Sequence, residues 1–197
     1  MILSERHIIK NSELFNELDN MCFLSKNLYN KGLYIVRQHF FNTEKYLNYN
    51  TLENILKKSK DVDYYALPTK VSQQILMVLD NNFKSFFKLL EKKEKGLYKE
   101  KVKIPKYLDK DSRNLLIFTS QAISKKFIKN GIIKLSNVKH VVKTKVKVVK
   151  QVRIIHKGNH IVVEVLYEKQ SKDIVTNNRY AAIDLGLNNL ATISSNV

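Results

Sequence analysis

Apolar positions recur at two different periods along this chain, and the change of period divides it. Residues 1–10, Met1-Ile-Leu-Ser-Glu-Arg-His-Ile-Ile-Lys10, read as a short strand with no partner nearby. Its pairing is therefore expected with strands much later in the chain. His7 stands alone there and reads as a strand-face histidine rather than a metal ligand. Asn11-Ser-Glu-Leu14 then opens a helix with a favourable cap residue. Leu14, Phe15, Leu18, Cys22, Leu28 and Tyr29 follow helical spacing, with Met21 and Leu24 widening the face. The pattern continues through Leu33, Val36 and Phe40, either in the same helix or in a second one after Gly32. Asn50-Thr-Leu-Glu53 is another start signal, with a glutamate three residues after the cap, and predicts a short helix over 51–58. Pro68 stops what precedes it and starts a strong helix over 69–90. Val71, Ile75, Leu79, Phe83, Phe86 and Leu90 form its apolar stripe, which reads as core.

Residues 91–111 are charged and read as a loop and a boundary between domains. Beyond them strand patterns take over, at 115–118, 134–135, 141–149, 152–155 and 161–167, with Lys157-Gly-Asn159 as a hairpin turn. Several short strands with tight turns predict a small antiparallel barrel.

Charge changes the picture. Lys plus Arg number 35 against 18 acids, giving a formal net charge of +17. Such an excess points to a polyanion, either nucleic acid or a membrane surface. No apolar run approaches the roughly 18 residues that a bilayer span needs, and Met1-Ile-Leu-Ser-Glu5 does not begin a signal peptide. Nucleic acid is the favoured partner, with no membrane, and a cytoplasmic location is expected. Cys22 is the only cysteine, so no disulfide and no cysteine-based zinc site is expected within the chain. The excess is also uneven: residues 112–163 contain no Asp or Glu yet carry 12 Lys or Arg. In Lys143-Thr-Lys-Val-Lys147 the lysines alternate, so one face of a strand becomes a row of ammonium groups. A charged row is ordinarily a solvated face. Without interleaved acids it repels itself, and a phosphate backbone relieves that repulsion. At the start of the 69–90 helix, Thr69, Lys70, Gln73 and Gln74 are polar. A helix N-terminus attracts phosphate, and glutamine can pair with adenine, although such residues are commonly plain surface.

The stretch Tyr180-Ala-Ala-Ile-Asp-Leu-Gly-Leu-Asn-Asn-Leu-Ala-Thr-Ile-Ser-Ser195 reads as strand, tight turn and strand, with Asp184 ending a buried strand. A carboxylate there is costly unless a metal, a turn amide or a cation pairs with it. From local chemistry alone, turn capping and a functional role stay equally open. Ile183-Asp-Leu-Gly-Leu-Asn-Asn-Leu-Ala-Thr192 resembles the first nuclease motif of the TnpB/OrfB family of transposon-encoded RNA-guided DNA endonucleases, which are similar to compact type V CRISPR effectors. Leu67-Pro-Thr-Lys-Val-Ser-Gln-Gln-Ile-Leu76, Lys84-Ser-Phe-Phe87, Lys103-Ile-Pro-Lys-Tyr107, Asn114-Leu-Leu-Ile-Phe-Thr119, Gln151-Val-Arg-Ile-Ile155 and Val163-Glu-Val-Leu-Tyr-Glu168 resemble further family segments in the same order.

The resemblance implies an α+β chain: a helical recognition domain inserted into a small antiparallel β-barrel (wedge) domain, followed by the first hairpin of a ribonuclease-H-like (RuvC) domain. In residues this means 1–10 as the first barrel strand, 11–98 helical, 99–178 the barrel and 179–197 the start of the nuclease domain. It implies guide RNA and double-stranded target DNA as partners. Tyr49, Thr69, Lys70, Gln73, Thr119 and Ser120 become DNA-contacting candidates by position. Lys143, Lys145, Lys147 and Arg153 become RNA-contacting candidates. Asp184 becomes the first of three carboxylates that hold two Mg²⁺ ions. The other two carboxylates and the family's zinc ribbon would lie beyond Val197, so a chain of this length is expected to bind without cleaving alone. Another polypeptide could complete the nuclease, and residues 180–197 are expected to be frayed, repacked or completed by it. The competing readings are a guide-independent DNA-binding accessory or regulator of transposition, a generic RNA-binding protein, and an actin-like kinase or ATPase, whose phosphate hairpin Ile183-Asp-Leu-Gly186 also resembles.

Overall fold

A computed structural model describes residues 1–10, 12–170, 178–186 and 190–196. The chain divides into two compact units, residues 2–168 in one and Met1 with 169–197 in the other. The first unit is mixed helix and sheet with antiparallel strand pairing.

Helix α1 spans Glu13–Thr43 without a break. Ser12 caps it, its Oγ accepting from the Phe15 amide at 3.1 Å. Asn11 lies outside the described residues. The alternative of a second helix after Gly32 does not hold, and packing explains the glycine. A Cβ there would approach Leu79 Cδ2 to 3.0 Å and Leu76 Cδ2 to 3.2 Å, so Gly32 serves the close crossing of α1 over α4. Helix α2 covers Tyr49–Lys58 and begins two residues earlier than the spacing predicts. Its cap is Asn48, whose Oδ1 accepts from the Thr51 amide at 3.1 Å. Glu53 is therefore released from any capping role and turns inward. A single turn, α3 (Val62–Tyr65), precedes α4 (Thr69–Glu94). On α4 four residues of the predicted stripe are core, Val71, Leu79 and Phe83 fully buried and Ile75 nearly so, while Phe86 and Leu90 are only half-buried toward its end.

Strands β1 (Ile2–Ile9), β2 (Leu116–Thr119), β5 (Gln151–His156) and β6 (Ile161–Glu168) form one antiparallel sheet in the order β1-β6-β5-β2. The distant partner expected for β1 is β6, in register from Ile2↔Glu168 to Ile9↔Ile161. Helices α1 to α4 thus fall, in sequence, between two neighbouring strands. One sheet face carries Leu116, Phe118, Val152, Ile154, Val163 and Val165, all fully buried.

The predicted barrel does not close: among the described residues the four-stranded sheet is open. Lys134 and Leu135 form no strand; Leu135 makes only an isolated bridge to Ile123. Within 141–149 only Val142–Lys143 (β4) is strand, paired with β3 (Ile132–Ile133). Between them α5 (Lys125–Ile128) adds one turn. One in-register bond follows the strand, from Thr144 to Gly131, and beyond it the amides have other acceptors. Thr144 donates to the Gly131 carbonyl at 2.8 Å, Lys145 to Glu5 Oε2 at 3.2 Å, and Val146 to Thr144 Oγ1 at 3.0 Å. Alternation survives without the ladder: Val142, Thr144 and Val146 are buried, while Lys143, Lys145 and Lys147 are exposed.

In the second unit β7 (Ala181–Asp184) pairs with β8 (Thr192–Ser195), with Ile183 opposite Ile193 and Asp184 opposite Thr192. Both strands are exposed throughout, Ile183 at 64% and Ile193 at 67%. The expectation that Asp184 ends a buried strand is thus corrected: a two-stranded ribbon has no second layer to bury either face. No helix among the described residues is long and apolar enough to cross a membrane.

Candidate nucleic-acid interface

Two DNA-contacting candidates converge on one carboxylate. Glu53 points inward from α2 and is 8% exposed. Its Oε1 accepts from Tyr64 Oη at 2.8 Å and from Gln73 Nε2 at 2.8 Å, and Lys57 Nζ lies 2.7 Å away. The Tyr49 hydroxyl also bonds it, one helical turn earlier. Burial alone would raise the carboxyl, but the donors outweigh it and hold Glu53 at about 2. Burial and the neighbouring carboxylate push the Tyr49 and Tyr64 hydroxyls well above the usual tyrosine range. Tyr49 is fixed at its other end too, because its amide donates to Asp80 Oδ1 at 3.0 Å. Asp80 is buried on α4, accepts from Tyr46 Oη at 2.6 Å and pairs with Lys84 Nζ at 2.6 Å.

The remaining DNA candidates lie along the start of α4 and the end of β2. Thr69 and Lys70 are exposed on the first turn of α4, and Gln73 is half-buried one turn later. Helix α4 packs against β2 and against the 3-10 turn Ser120–Ala122 that follows it. Ser120 is exposed. Thr119 Oγ1 is buried with no hydrogen-bond partner among the described residues. An unmet hydroxyl of this kind costs about 1–3 kcal/mol.

The RNA candidates divide. None of the ion pairs among the described residues involves Lys143, Lys145 or Lys147. Arg153 is engaged: Glu164, 6% exposed, lies 3.7 Å from its Nη1 and accepts from Arg6 Nε at 2.9 Å. Acids missing from 112–163 are imported from distant segments. Glu5 accepts from Thr144 Oγ1 at 2.8 Å and bonds His7 at 2.7 Å, which lowers its carboxyl despite burial. Glu17 and Glu13 each bond one ring nitrogen of His140 at 3.0 Å, which raises that imidazole. Asp19 clamps Arg113 through both oxygens, at 2.6 and 2.9 Å, and is held below its ordinary value mainly by that guanidinium.

Sequence reasoning missed Glu53 as an organising residue because its spacing from Asn50 imitates a capping box. A signal was present: Leu52 and Leu56 flank it, so it lies close to the apolar face of the 51–58 helix. Asp184 is exposed on the second unit. Among the described residues no three His, Cys, Asp or Glu side chains could hold a metal ion. The described residues therefore do not fit a Mg²⁺ pair. Neither a family model nor a curated protein matches the chain.

Proposed function

We propose that this chain binds nucleic acid in the manner of the TnpB/OrfB proteins, holding guide RNA on its basic strand-like segment and duplex DNA at the start of α4. The observation that carries the reading is the exposed row Lys143, Lys145 and Lys147, in a stretch with no acid of its own and without ion pairs among the described residues. Three ammonium groups at a two-residue spacing suit a phosphate backbone, which they contact without reading sequence. Further support comes from the ordered family-like segments and from helices placed between two paired strands, as the wedge arrangement requires. The shared fixing of Tyr49 and Gln73 and the unmet Thr119 hydroxyl support the DNA side. On this reading sequence choice comes from base pairing with the RNA, and the protein reads only a short adjacent DNA motif. Cleavage would need carboxylates supplied around Asp184 from outside these residues.

The test is to express the chain with its native flanking DNA and sequence the RNA that co-purifies. One discrete non-coding RNA supports the guided reading. Random or absent RNA together with duplex binding turns the conclusion to a guide-independent DNA-binding accessory. Replacing Lys143, Lys145 and Lys147 together by Ala should flatten the plot of log affinity against log salt by about 2 to 3, near one unit per lost phosphate contact. An unchanged slope removes the lysine row from the interface.

A further inference from the structure

Glu53 offers only acceptors, and Gln73 meets it through Nε2 at 2.8 Å. An amide oxygen facing an ionised carboxylate is repelled, so the Gln73 amide has one stable orientation. Among the described residues Gln73 Oε1 and its second N–H have no hydrogen-bond partner, which leaves them for an outside one, and the residue is half-buried. Those two groups are what an adenine edge requires, since its N6 amino group donates and its N7 accepts. Free glutamine on a helix surface presents either orientation and discriminates poorly. The carboxylate is itself immobilised by Tyr64 Oη at 2.8 Å and Lys57 Nζ at 2.7 Å, so the restraint on Gln73 rests on a rigid base. Tyr64 is fully buried, and its carbonyl accepts from Ser72 Oγ at 2.8 Å, which ties α3 to the first turn of α4.

We infer that Glu53 is a positioning residue for base recognition: it locks the Gln73 amide so that its oxygen and one N–H face an adenine in the major groove of bound duplex. The inference rests on the DNA-binding reading above and adds to it the base class read and the residue that enforces it. Glu53 does not touch DNA. Its effect appears as specificity at one base pair, while contacts to phosphate are left alone.

The experiment selects from a duplex pool with about eight randomised base pairs, using the full chain with whatever RNA co-purifies. The wild type should enrich a motif containing an adenine whose preference falls about tenfold in Gln73→Ala. Glu53→Gln, which can face either amide orientation, should lose most of the preference at that same pair and keep the rest of the motif. Leu56→Val, a core change in the same helix, should lower the melting temperature and leave the motif intact. A wild type that enriches nothing overturns the DNA-binding reading and this inference with it. A motif indifferent to Gln73→Ala, one unchanged in Glu53→Gln, or one lost equally in Leu56→Val overturns the inference alone. Should Glu53→Gln fail to fold, the side-chain amide resonances of Gln73 in the wild type decide. One shifted, exchange-protected proton before DNA is added supports the lock, and two averaged, unprotected protons refute it.

Discussion

Two carboxylates organise this molecule from opposite situations. Glu53 belongs to the helical layer, where Tyr49, Lys57, Tyr64 and Gln73 all converge on it and its exposure is 8%. Glu5 belongs to β1 and reaches across to a segment 140 residues later, holding Thr144 Oγ1 and the Lys145 amide. The first refines a region that apolar periodicity had already folded. The second takes over where regular structure ends, because the one amide it binds, Lys145, lies just past the last in-register bond of β4. The difference teaches where a buried acid is an accessory to the fold and where it takes over from a ladder. It also separates two regions, one fixed by a buried hydrogen-bond network and one that exposes a row of lysines.

Removing Glu53 should produce the larger loss. Glu53→Ala leaves Tyr64 Oη, Gln73 Nε2 and Lys57 Nζ without their shared acceptor, and a loss of about 3 kcal/mol is expected. The urea midpoint measures it, with the slope unchanged. The pH dependence has a definite sign. Glu53 is held at about 2 against an ordinary 4.5, so its contribution is complete above pH 4.5 and disappears as pH falls toward 2. A wild type and a Glu53→Ala variant of equal stability at pH 7 would show that these three donors are satisfied without it.

The same contrast governs what was legible in the sequence. The helical layer was readable because its apolar spacing and its packing agree: Val71, Ile75, Leu79 and Phe83 are predicted and found in the core. Gly32 misleads only because a glycine inside a helix looks like a stop when its partner helix is unseen. Beyond residue 112 the strands β5 and β6 and their turn were equally plain, since Lys157 N bonds the His160 carbonyl and Gly158 has φ +75. The barrel was over-read. Alternation in 142–147 is real as burial, but alternation does not say which acceptor takes each amide. That choice lies with Glu5, far away in sequence. The hydrogen bonds that link Tyr49 and Gln73 through Glu53 were not legible in the sequence. Nothing local in Gln73 tells which way its amide turns.

Glu5→Ala tests the other half at a smaller scale, because the clasp is half-buried and its loss frees a surface segment. A drop of about 1–2 kcal/mol is expected, for two hydrogen bonds to a charged acceptor. Hydrogen exchange should speed up first at the Lys145 and Val146 amides and leave β5 and β6 protected. Uniform acceleration across the sheet would mean that the 144–146 segment is part of the core rather than clasped onto it.

The smallest effect should come from His140, and its sign separates surface clasps from buried networks. Its two ring nitrogens bond Glu17 and Glu13, and Glu17 also takes the Lys139 amide at 2.6 Å. The imidazole is raised above its ordinary 6.5, chiefly by the hydrogen bond to Glu17 and then by the one to Glu13. A raised group stabilises most when protonated in both states, so the contribution is complete below pH 6.5 and fades as pH climbs through the higher folded value. Glu17 is lowered by the same contact, so its share requires pH above about 4.5. The clasp is therefore strongest between these limits. The gap in urea midpoint between wild type and His140→Gln should be widest near pH 5.5 and shrink by pH 9. That is the reverse of the trend for Glu53, which only gains as pH rises from acid. A gap that stays constant across this range would show that His140 acts by packing, and that charge plays no part in fastening the 139–141 segment to α1.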